Sequence, residues 1–199
     1  GTPAIGNHWG NCDPAEPRNR RTRPSIAVQS DKTTIVVDTG PDIRDQLNRE
    51  DIQTVDAVLY THAHGDHVNG IDDLRLLRLR QKALINIYGN SATINELRQR
   101  FDHLFVERAT IYPEVVDPHI FTAHEFNTPQ SIGDISVIPF EQDHGTCNSL
   151  GYRFGDLAYS TDVVDLDQQA LETLRGIKTW IVDGAGYRMP KNLAHFRLS

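Results

Sequence analysis

Three histidines and an aspartate crowd into the few residues that follow a short apolar segment of the chain. The segment Val55–Tyr60 is rich in residues that favour β-structure, and it predicts a buried strand. The residues after it read Thr61-His62-Ala63-His64-Gly65-Asp66-His67. Because side-chain direction repeats every second residue along a strand, the first two histidines point the same way, and the glycine permits a tight turn that brings the aspartate and the third histidine beside them. The cluster predicts a metal site, since imidazole suits zinc, iron and manganese and a carboxylate adds an oxygen ligand. A polar loop that contains histidines by chance is the alternative.

The size and composition of the chain limit the classes of protein to which it can belong. With 199 residues, 38% of them hydrophobic, the chain can bury one core, and we expect a single domain over residues 1–199. The formal net charge of −7 argues against an extended nucleic-acid-binding surface, although a small basic patch is compatible with it. No apolar run approaches the length of a membrane span, and the two cysteines, Cys12 and Cys147, form no disulfide framework. We therefore expect a cytoplasmic protein with no membrane partner.

Both ends of the sequence have the character of internal positions. The chain begins at Gly1 without a methionine and stops at Ser199 within a pattern that predicts the start of a helix. We therefore expect a fragment of a longer chain, in which further ligands lie outside these residues.

Further polar side chains follow other predicted strands at the point where each strand ends. The strands are predicted at Ser25–Val28, Thr33–Val37, Leu84–Tyr88, Gly133–Gln142, Leu150–Phe154, Leu157–Tyr159 and Thr179–Val182. His144 and Asp162 each come just after one of them, as His62 and His64 do after theirs. A shared origin at strand ends allows one pocket at one edge of the sheets. The imidazoles together with two carboxylates, Asp66 and Asp162, suffice for two metal ions that share a carboxylate.

Helical periodicity accounts for most of the remaining chain. Amphipathic or helix-favouring segments are predicted at Asp42–Glu50, Ile71–Lys82, Ser91–Phe105 and Asp167–Arg175. Ser91 is the predicted N-cap of the third helix.

Two features close to predicted elements have a structural and a functional interpretation each. Asp38 ends a predicted strand beside a helix start, so it is either an orienting group that accepts a hydrogen bond from a metal-binding region or a simple turn aspartate. Cys147, near His144, most simply lines the loop, and a soft metal ligand or a reactive thiol is the alternative.

Two features far from the histidine cluster also have alternative interpretations. The early loop carries four arginines, which form either a solvated charge run or a guanidinium cluster that receives a phosphate. They are Arg18, Arg20, Arg21 and Arg23. His195, near the end of the sequence, is a candidate metal ligand or a general acid that protonates a leaving alkoxide.

Taken together, the pattern His62-x-His64-x-Asp66-His67, followed by His144 and Asp162, resembles the metallo-β-lactamase superfamily. The resemblance covers nearly all of the chain and implies an α/β fold, a four-layer αβ/βα sandwich, with a di-metal centre. It implies that His62, His64 and His144 hold one metal, that Asp66 and His67 serve the other, and that Asp162 bridges both. The implied cofactors are two divalent metal ions, zinc or manganese, with iron as a further option.

Three stretches resemble one subgroup of that superfamily, which holds the phosphoribosyl 1,2-cyclic phosphate phosphodiesterase and lies close to ribonuclease Z. They are residues 6–14, 20–25 and 149–154. The resemblance implies catalytic roles for Asp66 and for His195, which would act on the leaving group. A phosphate-binding role is assigned to Arg20, Arg21, Arg23 and Ser149. The family's final histidine ligand and its first strand would lie outside this chain, and its cysteine-rich zinc site is not matched, because only Cys12 lies in that loop.

The sequence thus predicts a metal-dependent hydrolase, and specifically a phosphodiesterase that acts on a small cyclic phosphate or nucleotide-like ester. The alternatives are tRNA 3′ processing like that of ribonuclease Z, hydrolysis of a thioester or lactam, and a non-catalytic metal-binding remnant. The expected partner is a small phosphate-ester substrate, and a homodimer is compatible with the sequence.

Overall fold

The computed structural model describes residues 1–106 and 113–184, and their strands form two five-stranded sheets. The strands of the first sheet are β1 (Ile26–Gln29), β2 (Thr34–Val37), β3 (Ala57–Leu59), β4 (Ile85–Gly89) and β5 (Val116–Ile120). They lie side by side in the order of the sequence. β1 runs antiparallel to β2, and the other neighbours are parallel.

The second sheet is built from the later part of the chain. Its strands are β6 (Gln130–Ile132), β7 (Ile135–Asp143), β8 (Asn148–Phe154), β9 (Leu157–Ser160) and β10 (Thr179–Val182). They too are ordered as in the sequence, and all neighbours are antiparallel except β9 and β10.

The helices connect and cover these strands. They are α1 (Ile43–Arg49), α2 (Gly65–Val68), α3 (Leu74–Gln81), α4 (Ser91–Arg100) and α5 (Gln168–Leu174), with short 3-10 turns at Pro17–Asn19, Ile71–Asp73 and Asp102–Leu104. The N-cap of α4 is Asn90, whose side-chain oxygen accepts a hydrogen bond from Thr93 N at 2.8 Å. The predicted N-cap, Ser91, was therefore wrong by one residue, because both side chains can cap and the first of them does so. The same helix ends at Arg100, before the predicted Phe105.

Three buried apolar clusters define four layers. The first lies between one face of the first sheet and helices α1, α3 and α4, and includes Val36 and Val58. The second fills the space between the two sheets, where Val37 and Leu59 meet Tyr152. The third packs α5 against the outer face of the second sheet. Alternate residues of β2 thus serve opposite faces, as strand geometry requires, and the predicted four-layer α/β sandwich is confirmed.

Two hydrogen bonds join the sheets where β3 ends. The amide of Leu150 in β8 donates to the carbonyl of Thr61 at 2.8 Å, and the Tyr152 hydroxyl donates to the carbonyl of Tyr60 at 2.7 Å. They hold the end of β3 and the start of the histidine cluster against the second sheet. Among the helices in the described ranges, none is long and apolar enough to cross a membrane.

Candidate metal centre

The histidine cluster lies between the end of β3 and the first turn of α2. His62 is 2% exposed, and its Nε2 lies 2.9 Å from Nδ1 of His64. Gly65 is the first residue of α2, so the turn predicted at this glycine is the first turn of a helix. The helical turn brings His67, which is fully buried, back towards His62, with the two ring centroids 4.3 Å apart.

Three imidazoles converge on one carboxylate oxygen from the second sheet. Asp162 follows β9, and its Oδ2 lies 3.2 Å from His67 Nε2 and 3.5 Å from Nε2 of both His62 and His144. Ligands of a single tetrahedral zinc, each 2.0–2.1 Å from the metal, are separated from one another by about 3.3 Å. The spacing of these nitrogen and oxygen atoms is therefore similar to that of ligands around a zinc ion.

The side chains divide into two groups that share Asp162. One group is His62, His64, His144 and Asp162, and the other is Asp66, His67 and Asp162. Within each group the candidate ligand atoms all lie within 4.8 Å of one another. The structure therefore brings together all six side chains predicted as ligands, and their role in metal binding stays a prediction.

The chemistry of His67 fits a metal ligand. Its Nε2 is buried and makes no hydrogen bond, although two carboxylate oxygens, from Asp66 and Asp162, lie 3.6 and 3.2 Å away. A buried ring nitrogen that faces carboxylates without a hydrogen bond is costly unless something else satisfies it, and a cation between these atoms would do so.

Asp38 fixes the orientation of His67. This aspartate is fully buried after β2, and its carboxylate accepts hydrogen bonds from Thr61 N at 2.8 Å, Thr61 Oγ1 at 2.8 Å and His67 Nδ1 at 2.7 Å. Because Nδ1 of His67 donates to Asp38, the other ring nitrogen faces the cluster. This is the arrangement by which a carboxylate sets the tautomer of a metal-binding histidine.

The carboxylates set the charge state of the cluster in the absence of a metal. Burial lowers the pKa of His67, but Asp162 and Asp38 beside it outweigh burial and raise that pKa to about 10. Burial raises the pKa of Asp162, yet His62 and His67 lower it well below its usual range, so this carboxylate is ionised. Burial and the neighbouring His62 lower the pKa of His64, which favours the neutral form that binds metals.

Two loops in close backbone contact support the cluster. Thr39 N donates to His67 O and Gly70 N donates to Thr39 O, both at 2.8 Å. A Cβ atom at Gly40 would overlap the carbonyl oxygen of Asp66. The loop after β2 therefore packs directly on α2, and glycine at position 40 permits that approach.

Arg100, at the end of α4, is a supporting residue that the sequence did not reveal. Its guanidinium donates to the Ala63 carbonyl at 2.5 Å and to Asn69 Oδ1 at 2.7 Å, and it pairs with Glu96 at 3.2 Å. These bonds connect the backbone between His62 and His64 with Asn69, the residue that follows α2. The contact depends on how α4 packs across the sheet, and an arginine in a helix carries no local signal of it.

The residues assigned to phosphate binding lie apart from the ligand groups or are engaged elsewhere. Arg20 lies over the ring of Trp9, Arg21 donates to the thiol of Cys12 at 3.6 Å, and Arg23 pairs with Asp42 at 3.1 Å. Their phosphate role stays a prediction.

Ser149 is buried, and its hydroxyl donates to the backbone carbonyl of Asp162 at 3.0 Å and accepts from Gln142 at 3.1 Å. The geometry thus gives Ser149 a contact that positions Asp162, and its phosphate role too stays a prediction. His195 lies outside the described residues.

Comparisons with known proteins agree on one family. Residues 33–199 match the family model described as the beta-lactamase superfamily domain. The chain is 31% identical over 189 residues to an octanoyltransferase of Porphyromonas gingivalis (strain ATCC BAA-308 / W83), covering 94% of this chain and 37% of that protein. It is 31% identical over 146 residues to ribonuclease Z of Bradyrhizobium sp. (strain ORS 278), covering 69% of this chain and 46% of that protein. The chain thus spans less than half the length of these two curated relatives.

Among solved structures, a diphosphatase from the PhnP family superimposes with a TM-score of 0.82 and 33% sequence identity. The superposition covers 98% of this chain and 72% of that one.

Proposed function

The chain belongs to the metallo-β-lactamase superfamily of hydrolases, as its motif predicts, and on this basis we propose that it is a metal-dependent phosphodiesterase. Its substrate would be a small cyclic phosphate or a nucleotide-like ester. The observation that carries the proposal is the convergence of three imidazole nitrogens on Asp162 Oδ2 within 3.5 Å. This is a donor set for two cations that share one carboxylate.

Each of the two groups of side chains would bind one cation. His62, His64 and His144 would hold one cation, Asp66 and His67 the other, and Asp162 both. Two bound divalent cations lower the pKa of a water molecule and stabilise the negative charge that develops on the oxygens of a phosphoryl group. Asp38 keeps Nε2 of His67 directed at the site by accepting the Nδ1 proton.

The names of two similar proteins favour hydrolysis at phosphorus, as in a phosphate ester, over hydrolysis at a carbonyl carbon, as in a thioester or lactam. The diphosphatase is a hydrolase of phosphate anhydrides by its name, and ribonuclease Z cleaves a phosphodiester backbone by its name. The name octanoyltransferase belongs to a protein of which this chain spans 37%, so an acyl-transfer activity does not follow for this chain. Thioester or lactam hydrolysis has no comparable support.

The test is hydrolysis of bis-p-nitrophenyl phosphate by the protein loaded with Zn²⁺ or Mn²⁺. We expect turnover with at least one metal and its loss in His64→Ala, with the far-UV circular dichroism unchanged. The matched control is His103→Ala, since this exposed histidine bonds to Asp72 at 2.8 Å and belongs to neither ligand group. No turnover with either metal would overturn the proposal, and a metal content below two per chain would favour a non-catalytic metal-binding protein.

Ribonuclease Z-like tRNA 3′ processing is the second candidate, because four curated relatives carry that name. The net charge of −7 weighs against it, since binding to a polyanion rests on basic side chains. Cleavage of a precursor tRNA, with a rate that falls steeply as salt increases, would favour this candidate over a small-ester phosphodiesterase.

A further inference from the structure

A cavity of about 670 Å³ opens beside the metal centre, between the start of α4 and the second sheet. Its volume lies within the range of pockets that bind small organic molecules. Its lining comes from the end of β4, the start of α4, the chain after β5, and strands β7 and β8. The lining residues include Ser91, Ala92, Phe121, Thr122, Phe126 and Asn148. We call this cavity the ring pocket.

Two walls of the ring pocket lead to the metal centre. On one side, His144 donates its backbone N–H to the carbonyl of Cys147 at 2.9 Å, so that a ligand and a lining residue share one tight turn. On the other side, α4 supplies Ala92 to the pocket and, two turns later, Arg100 to the loop that carries His62 and His64. A substrate whose phosphate lay at the metal centre would therefore extend its organic part into this space.

The lining is suited to a flat ring. Phe121 and Phe126 are the aromatic side chains of the lining. Phe121 is 5% exposed and stacks on Tyr88 with ring centroids 5.5 Å apart, and Phe126 is partly buried. Phe126 is packed against the core between the sheets, so its ring is also held in place. Aromatic side chains stack on planar bases with little regard to sequence.

The polar groups of the lining fit the edge of such a ring and not its phosphate. Ser91, Thr122 and Asn148 offer hydroxyl and amide groups that pair with ring nitrogens and carbonyls. The carboxylate of Glu141 repels an anion, and the Thr93 amide in the first turn of α4 is already bonded to Asn90 Oδ1. A phosphate is therefore favoured at the metals and a neutral heterocycle in the cavity.

We propose that the ring pocket binds the planar ring of a phosphate ester, such as the base of a nucleotide, while the phosphate lies at the metal centre. The proposal rests on the proposed function and narrows its substrate class to esters that carry an aromatic or heteroaromatic ring.

The experiment compares adenosine 5′-monophosphate with ribose 5-phosphate, which share a phosphorylated pentose and differ in the base. Binding of each to the Zn²⁺-loaded protein is measured by isothermal titration calorimetry. We expect adenosine 5′-monophosphate to bind roughly 5- to 100-fold more tightly, the range that base stacking provides. Equal affinities, or no measurable binding of adenosine 5′-monophosphate, would overturn the proposal.

Two variants fill the pocket from its exposed side. Ala92→Trp and Ala123→Trp should each abolish the preference for the base, measured as the ratio of the affinities for adenosine 5′-monophosphate and ribose 5-phosphate. The matched control is Ala83→Trp, which makes the same change at an exposed alanine just before β4, at the opposite end of that strand from Asn90. A preference that survives both filled pockets would overturn the proposal, and two independent variants guard against misfolding of one.

Failure of the ring pocket and failure of the proposed function are separable. Hydrolysis of bis-p-nitrophenyl phosphate without a preference for the base would reject the ring pocket alone. A preference for the base that the two tryptophan variants remove, in a protein that hydrolyses no phosphodiester, would reject the phosphodiesterase and retain the pocket.

Discussion

Two aspartates of the candidate site adopt a left-handed backbone conformation, which is unfavourable for residues other than glycine. Asp38 has φ of 62° and Asp162 has φ of 50°, both in the left-handed region. Such conformations persist only where surrounding contacts impose them. At Asp38 the contacts are the three hydrogen bonds from Thr61 and His67. The residue that orients the candidate ligand His67 is therefore also the one with the unfavourable backbone conformation.

The first prediction concerns that orientation. Asp38→Asn keeps the size of the side chain but no longer offers a charged acceptor to Nδ1 of His67. We expect metal affinity to fall roughly 10- to 100-fold, as for other groups that orient a ligand. Competition with a chromogenic chelator measures the affinity. The matched control is Asp72→Asn, because Asp72 also bonds to a histidine, His103, but on the surface. Equal losses in both variants would contradict the orienting role.

The second prediction follows from the raised pKa of His67 in the metal-stripped protein. The pKa is about 10 in the folded chain and about 6.5 in an unfolded one, so between these values the folded state holds a proton that the unfolded state has lost. The stabilisation should be complete below about pH 6.5 and disappear as the pH rises through about 10. Urea unfolding with a chelator present measures it, as the difference in free energy of unfolding between the parent and His67→Gln. A difference that does not change with pH would contradict the prediction.

At the scale of elements, α4 serves both the loop of the metal centre and the ring pocket. Its last residue, Arg100, donates to the Ala63 carbonyl between two histidines, and its first turn lines the cavity. A shift of this helix would therefore move the proposed ligands and the ring pocket together.

The third prediction tests the end of α4. Arg100→Gln removes the guanidinium that donates to the Ala63 carbonyl and to Asn69 Oδ1, and at this exposed position such contacts contribute little to global stability. We expect metal affinity to fall roughly tenfold, because Arg100 no longer holds the Ala63 carbonyl and the backbone next to His64 is less well fixed. The unfolding midpoint of the metal-stripped protein should change much less, which a merely structural arginine would not allow. Arg98→Gln, at an exposed position of the same helix, is the control.

The fourth prediction tests the contact between the loop after β2 and α2. Gly40→Ala places a methyl group against the Asp66 carbonyl, and backbone atoms cannot rotate away. We expect a loss of about 1–3 kcal/mol in the free energy of unfolding, together with weaker metal binding, since Asp66 must move. Gly89→Ala is the comparison, because a Cβ there meets its nearest atom at an ordinary 3.4 Å. A Gly40→Ala protein as stable as Gly89→Ala would exclude the close approach.

Sequence reasoning succeeded at the elements whose chemistry is local and failed where packing decides. Apolar runs located β3, β7 and β9, and the polar residues after them are those that meet in the structure, because strand ends gather at one edge. The N-cap of α4 was misplaced by one residue, since Asn90 and Ser91 carry equally good capping groups. The contact of Arg100 and the left-handed conformations of Asp38 and Asp162 arise from distant parts of the chain, and no local pattern encodes them.

At the scale of the whole molecule, the metal centre belongs to both sheets. His62, His64 and His67 come from the first sheet, whereas His144 and Asp162 come from the second. Bound cations would therefore hold the two halves of the sandwich together, in addition to the apolar layer between them.

The fifth prediction is that metal raises global stability. A ligand that binds only the folded state stabilises it by about 2.7 kcal/mol at a hundred times its dissociation constant. We expect Zn²⁺ or Mn²⁺ to raise the melting temperature of the chelator-treated protein in a concentration-dependent way, measured by differential scanning fluorimetry. His144→Ala should reduce this shift, because Asp162 is then the one ligand that the second sheet supplies among the two groups. An unshifted melting temperature in the parent protein would argue against a shared centre.

The bond from Leu150 N to the carbonyl of Thr61 has a consequence for synthesis of the protein. Thr61 is synthesised well before Leu150. A chain that is still emerging from the ribosome therefore contains His62, His64 and His67 before it contains His144 and Asp162. Coordination of a cation by all of these groups would therefore require that β8 and β9 have docked on the first sheet. A fully coordinated cation would then be present only in chains whose two halves have assembled.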